Sequence, residues 1–254
     1  MSSTSHPAAP NRKGAGVAKL SFVLLLLCLL ALAAIVIAYR LGELGLREAF
    51  GYIEWVVYAG CAVAVLALAG AVLAIRRNRP GAIALSLLTL AAALLVAWVP
   101  YGNRLALSAS PRLSDITTDT VDPPAFDRIV VLRKATNARN ALAYSREKAA
   151  LQRKNYPDIK TVTLKVPPDA AFERALAAVR RMGWDVVRAD KAAGAIEAFE
   201  TSLVFGFVDD VAVRVRADGA GSRVDIRSSS RVGRRDAGMN AKRVRKLMRA
   251  NAGS

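Results

Sequence analysis

The chain has 254 residues, 54% of them hydrophobic, and a net charge of +17, a combination of apolar bulk and excess cation that one soluble globule does not ordinarily show. Two cysteines and one histidine exclude a disulfide framework and a zinc site built from four Cys and His ligands. The apolar residues crowd before Pro100, while the remainder carries 29 lysines and arginines against 17 aspartates and glutamates.

Three stretches, about residues 17–38, 53–75 and 81–99, each approach the ~20 apolar residues that cross a ~30 Å hydrocarbon layer. The charges within them, Lys19 and Glu54, stand at segment ends. Backbone groups in lipid must be satisfied within the segment, so three transmembrane helices are expected. Cys28 and Cys61 fall inside these spans as apolar fillers. Gly60, Ala64 and Ala67 are small and closely spaced, which permits close helix contact.

Orientation follows from the basic residues of the short loops. Arg12, Lys13 and Lys19 at the start of the chain, and Arg76, Arg77 and Arg79 between the second and third spans, belong on the cytoplasmic side. The first loop has only Arg40 and Arg47, offset by Glu43 and Glu48, and belongs outside. Tyr39, Tyr52, Trp55, Trp98 and Tyr101 all mark the outer interface, where amphipathic rings anchor. The expected plan is a cytoplasmic tail (1–16), a membrane region (17–100), an extended leader (101–125) and an extracytoplasmic domain (126–254) on a cell inner membrane. A cleaved signal peptide is the alternative for the first span, but its apolar run exceeds the usual 7–15 residues.

Residues 103–124 are rich in Ser, Thr, Asp and Pro and show no apolar period, which predicts the leader. A short strand is expected at 126–132 and a polar helix over 140–155, stopped by Pro157. Alternation over 161–166 predicts a strand. Pro167, Pro168 and Asp169 open a helix whose apolar face is Ala171, Phe172, Ala175, Leu176 and Val179, and Gly183 ends it. Strands at 184–188, 195–201, 204–216 and 222–228, with a turn at Asp218-Gly219, predict an antiparallel meander. A last helix over 237–250, N-capped by Asp236, sets Ala241, Val244 and Met248 toward the sheet and Lys242, Arg243, Arg245, Lys246 and Arg249 outward. The fold class is α+β, an antiparallel sheet packed with two or more helices in two layers.

Catalytic residue types are scarce. The one histidine, His6, lies in the N-terminal tail, which removes Ser-His and Cys-His nucleophilic chemistry from the outer domain. No Gly-rich phosphate loop follows a strand, so no nucleotide or other cofactor is expected. Asp209 and Asp210, with Glu197, are the acidic candidates for acid and base roles. Consecutive strand residues point to opposite faces, however, which favours a bend or pairing with Arg214 or Arg216.

The segment from Arg223 to Arg243 gathers hydroxyls, guanidinium forks and a helix N-terminus. Arg227, Ser228, Ser230, Arg231, Arg234 and Arg235 are the candidate anion ligands. The alternative is that Arg227 and Arg231 pair with Asp225, Asp236 or Glu197. An anion bound outside the cytoplasm beside a bilayer is a lipid headgroup, a lipid-linked phosphate or an envelope polymer rather than nucleic acid.

Asp115-Ile-Thr-Thr-Asp with Asp122-Pro-Pro-Ala-Phe, then Tyr156-Pro-Asp-Ile, Gly183-Trp184, Phe205-Gly-Phe-Val-Asp-Asp-Val and Ser230-Arg-Val-Gly with Asp236 and Asn240 together resemble the domain-of-unknown-function 1499 family. The resemblance implies a membrane-anchored envelope protein without an assigned activity. In that family a histidine often precedes the first motif; here Ser114 stands there. Three readings follow: a noncatalytic envelope protein binding an anionic ligand or a partner protein, an envelope hydrolase or transferase using carboxylates, and a structural subunit of a membrane complex.

Overall fold

The computed structural model describes residues 13–136 and 138–252. His6 and Arg12, and with them most of the expected tail, lie outside the described residues. The chain divides into two compact units, residues 1–104 and 105–254.

The first unit holds α1 (Lys13–Arg40), α2 (Leu46–Arg76) and α3 (Pro80–Ala109). At 28, 31 and 30 residues and a rise of about 1.5 Å per residue, all three exceed a ~30 Å hydrocarbon layer. They are long and apolar enough to cross a membrane. The small residues of α2 serve contacts within this chain. A Cβ at Gly60 would lie 3.2 Å from Val96 of α3, and one at Gly70 would lie 3.0 Å from the Ser86 hydroxyl, while Ala64 and Ala67 are buried. Tyr52, Trp55, Trp98 and Tyr101 remain exposed on the helix surfaces.

The second unit is an antiparallel sheet with helices, as expected for an α+β fold. Its elements are β1 (Asp115–Thr117), α4 (Arg128–Ala135), α5 (Arg146–Asn155), β2 (Val162–Leu164), α6 (Pro168–Arg181), β3 (Asp185–Asp190), β4 (Ala195–Thr201), β5 (Val208–Asp218), β6 (Gly221–Ser230) and α7 (Met239–Ala252). The meander is present in the order β3, β4, β5, β6. The short β1 and β2 lie one after the other along the outer side of β6, β1 on residues 227–229 and β2 on residues 222–224.

Period-two alternation splits the sheet into two unlike faces. Ile196, Val211, Val213, Val224 and Ile226 form an apolar core with Phe172, Leu176 and Val179 of α6 and Val244 and Leu247 of α7. The opposite face carries the charged residues described below.

Several expectations are corrected. Residues 126–132 are not a strand but lead into helix α4, because the buried Glu197 carboxylate accepts the N–H groups of Asp127, Arg128 and Ile129 and so caps a helix start. The leader at 101–125 is not wholly extended: α3 runs on to Ala109, and Asp115–Thr117 is a sheet strand, too short for a period to show. The polar helix begins only at Arg146, where Ser145 accepts the Lys148 N–H. Strand β5 starts at Val208, leaving residues 202–207 as a loop. On α7, Arg243 is buried rather than outward, and Leu247 rather than Met248 is the fully buried residue. Asp236 does serve the start of α7, its carboxylate accepting the Gly238 and Asn240 N–H groups.

Two devices finish the sheet. Gln152 of α5 donates to the Thr117 carbonyl at 2.6 Å and accepts its N–H at 2.9 Å, so a side-chain amide occupies the edge position that a further strand would take. Gly194 has φ +60°, and a Cβ there would lie 2.2 Å from the Val215 carbonyl oxygen. Gly194→Ala is therefore expected to destabilise the second unit by about 2 kcal/mol or more, seen as a lowered Tm of the full chain in detergent by near-ultraviolet circular dichroism.

Candidate functional site

On β6, alternation sends Ser228 and Ser230 to the helix side and Arg223, Asp225, Arg227 and Ser229 to the other. The helix-side hydroxyls meet Asn240 of α7. Ser228 donates to its side-chain oxygen at 2.5 Å, and its amide nitrogen donates to Ser230 Oγ at 2.8 Å and to the Ser114 carbonyl at 3.1 Å. Arg243 donates to the same Asn240 oxygen and pairs with Glu200 and Asp209. The two serines are thus consumed within the fold.

The opposite face is a buried layer of ion pairs. Arg227 engages Asp115 of β1 through two bonds of 2.9 and 2.8 Å. Its guanidinium also donates to the Pro124 and Leu142 carbonyls and lies over the Phe126 and Tyr144 rings. Burial pushes the Tyr144 phenol upward, with the Asp115 charge adding to the shift. Asp210 is fully buried and held from two sides: Arg133 of α4 donates at 2.7 Å and Arg231 at 2.8 Å. Two buried cations share this one carboxylate, and the difference is absorbed by neighbours. Arg133 also donates to the carbonyls of Asn140, Ser229 and Ser230, and Arg231 to Thr136 while lying over Phe199.

Further along, Asp225 accepts from Thr161 at 2.6 Å and from Arg214 at 2.9 Å, and pairs with Arg223. Asp119 takes further bonds from Arg214 and Arg223, and Asp122 accepts from Arg214 and Arg216. Burial pushes the Asp225 carboxyl up, but the hydrogen bonds from Thr161, Arg214 and Arg223 outweigh it and hold the group below the usual carboxylate range. At the far side of the layer Arg188 reaches Asp127, Asp190 and Glu197.

The arginines of the expected anion site thus have different situations. Arg227 and Arg231 are paired, with Asp115 and Asp210 rather than Asp225, Asp236 or Glu197. Arg235 donates to the Leu107, Ser108 and Ser110 carbonyls at the end of α3. Arg234 stands exposed on the turn after β6. The acidic candidates are dispersed: Asp209 lies on the helix side with Arg243, Asp210 on the opposite side, and Glu197 at the start of α4. Arg214 and Arg216 pair with other carboxylates than Asp209 or Asp210. Among the described residues no group of three or more His, Cys, Asp or Glu is placed to hold a metal ion.

Several participants escape the sequence reading, namely Asp115, Asp119, Arg133, Asn140 and Arg243. Asp115 and Asp119 were within reach, since both stand in one short motif and the strand at 222–228 is rich in arginine. Arg133 was not, because its segment reads as a strand.

The fold and this layer define a class: an α+β unit with one apolar and one ionic sheet face, following helices able to span a membrane. The family model described as "Protein of unknown function (DUF1499)" matches residues 115–250, more than half of the chain, and the chain belongs to that family. No curated protein matches it. The motif residues within the matched stretch have structural duties here: Asp115 and Asp119 supply carboxylates to β5 and β6, Phe126 covers Arg227, Trp184 sits in the core, and Asn240 bonds both serines. Ser114, which precedes the first motif, accepts from Asn140 through its hydroxyl.

Two outcomes follow. Arg227→Gln leaves the buried Asp115 charge with only the longer Lys148 contact of 3.5 Å and is expected to cost about 3 kcal/mol, whereas Arg234→Gln leaves the Tm unchanged; thermal unfolding of both variants measures the contrast. For pH, Asp225 binds its proton less readily in the folded than in the unfolded chain. Its stabilisation is therefore complete above the unfolded value of about 3.9 and is lost as pH falls through the lower folded value. The Tm should drop on acidification through this range, with a shallower dependence in Asp225→Asn.

Proposed function

We propose that the chain is a multi-pass protein of the cell inner membrane with a cytoplasmic N-terminus and an extracytoplasmic α+β unit, and that this unit is a noncatalytic binder of an anionic envelope ligand or partner. The membrane assignment is supported by three helices of sufficient length and apolarity, and the orientation by Arg76 at the end of α2 with Arg77 and Arg79 in the connection to α3.

The observation that carries the noncatalytic reading is the state of Asp210. A fully buried carboxylate clamped by Arg133 and Arg231 has neither the access nor the free oxygen that a general acid or base requires. Asp209 and Glu197 are likewise bonded, on different sides of the sheet. The polar chemistry of the unit is directed inward, which leaves its exposed cations, Arg234 among them, for ligands.

Two measurements test this. A phosphatase reporter fused after Ser254 should be active and a cytosol-dependent fluorescent reporter dark; the reverse pattern would remove the orientation and the envelope ligand with it. Titration of the detergent-solubilised chain with inorganic phosphate should show binding that Arg234→Gln weakens by about threefold or more, as expected for loss of one charge-assisted contact. Equal binding by the variant contradicts a role for that turn.

A further inference from the structure

One end of the sheet in the second unit gathers features of a single kind. It is defined by the Thr201–Val208, Asp209–Ser230 and Asp115–Ser229 pairs. The chain also enters the unit here: Ser114 accepts the Ser230 N–H, and Arg235 holds the carbonyls of Leu107, Ser108 and Ser110. The first turn of α7 is tied to the same place through Asn240.

Among the described residues of the unit, the exposed large apolar side chains are Leu105, Val121, Val131, Leu203, Val204 and Met239. Four of them, Leu105, Leu203, Val204 and Met239, are at this end. Leu203 is 92% and Val204 59% exposed, on the loop that joins β4 to β5. The loop is shaped rather than slack. Ser202 accepts the Gly206 N–H and donates its own to Phe207, Gly206 adopts φ 68°, and the Phe205 and Phe207 rings stack at 5.3 Å. Apolar side chains held out on a formed loop call for a nonaqueous surface.

Three exposed cations share this end. Arg139, Arg234 and Lys242 are exposed, and their backbones are fixed at this end, Arg139 on the Arg231 carbonyl and Lys242 on the Gly238 carbonyl. The carboxylates nearby are committed, Asp209 and Glu200 to Arg243 and Asp236 to the start of α7. This end thus carries exposed apolar side chains together with exposed cations, a combination that suits an anionic bilayer surface.

We propose that this end of the unit docks on the bilayer that the chain itself spans, with Leu203 and Val204 entering the headgroup region and Arg139, Arg234 and Lys242 selecting anionic phospholipid headgroups. The inference rests on the anion-binding reading above and names its ligand. The docking holds the unit against the membrane surface rather than leaving it to swing on a tether.

The test uses the full chain with Cys28→Ala and Cys61→Ala, a Val204→Cys substitution carrying an environment-sensitive fluorophore, and vesicles of phosphatidylglycerol or phosphatidylcholine. Quenching by a lipid-borne nitroxide should be at least about threefold stronger in phosphatidylglycerol, and Arg139→Gln, Arg234→Gln and Lys242→Gln together should remove the difference. Quenching by aqueous iodide alone in both lipids overturns the proposal. So does an emission shielded from both quenchers, which means that protein covers the loop, and so does equal nitroxide quenching in both lipids. After any of these results, a glycerol phosphate titration separates the two ideas: a response lost in Arg234→Gln keeps soluble-anion binding, and no response removes that reading as well.

Discussion

The clamp of Arg133 and Arg231 on Asp210 is the interaction around which the second unit is arranged. It joins α4, β5 and the turn after β6, three segments distant in sequence, through bonds of 2.7 and 2.8 Å with almost no solvent access. Ions in such a place lose hydration worth several kcal/mol each, and only close pairing with further hydrogen bonds offsets that loss. The carbonyls of Asn140, Ser229 and Ser230 and the Phe199 ring meet the remaining demand. A shift of α4 over the sheet by one residue would leave a charge unpaired, so the layer fixes how residues 118–144 lie on the sheet more than it adds to stability.

The same logic runs along the rest of that face. Arg227 with Asp115, and Arg214 and Arg223 with Asp119 and Asp225, tie the segment before α4 to β5 and β6. The apolar face opposite, packed on α6 and α7, supplies the ordinary hydrophobic contribution. One sheet therefore carries two kinds of core. Of the carboxylates that suggest acid and base chemistry, Asp210 and Glu197 are bound into this ionic face and Asp209 is held by Arg243 on the other. What faces outward instead, at the end where the chain enters the unit, is the apolar loop of Leu203 and Val204, with exposed cations at the same end.

How far the sequence could be read follows from the range of the forces involved. The three long helices announce themselves by length and apolarity alone. Strands β3 to β6 and helices α6 and α7 follow from local periods, and β4 is found at its actual bounds. The opposite orientation of Asp209 and Asp210 was predictable from the pleat. By contrast, Ile129, Val130, Val131 and Leu132 favour a strand locally and become helical because Glu197, some seventy residues on, captures the N–H groups at the helix start. The arginine partners were misassigned for a related reason: Arg227 and Arg231 had nearer carboxylates in sequence, but the register of β1 on β6 and the position of α4 chose Asp115 and Asp210. Arg243 reads as an outward charge on a helix face, yet Glu200 and Asp209 draw it inward.

The most direct measurement of the central claim is a double-mutant cycle on Arg133→Met and Asp210→Leu in the full chain, read by thermal or denaturant unfolding of the second unit. Coupling through the buried clamp predicts an interaction energy of about 2 kcal/mol or more, the double variant being far less damaged than its two parents together. Effects that simply add, within about 0.5 kcal/mol, would contradict the account and leave α4 held to the sheet by something other than this charge pair.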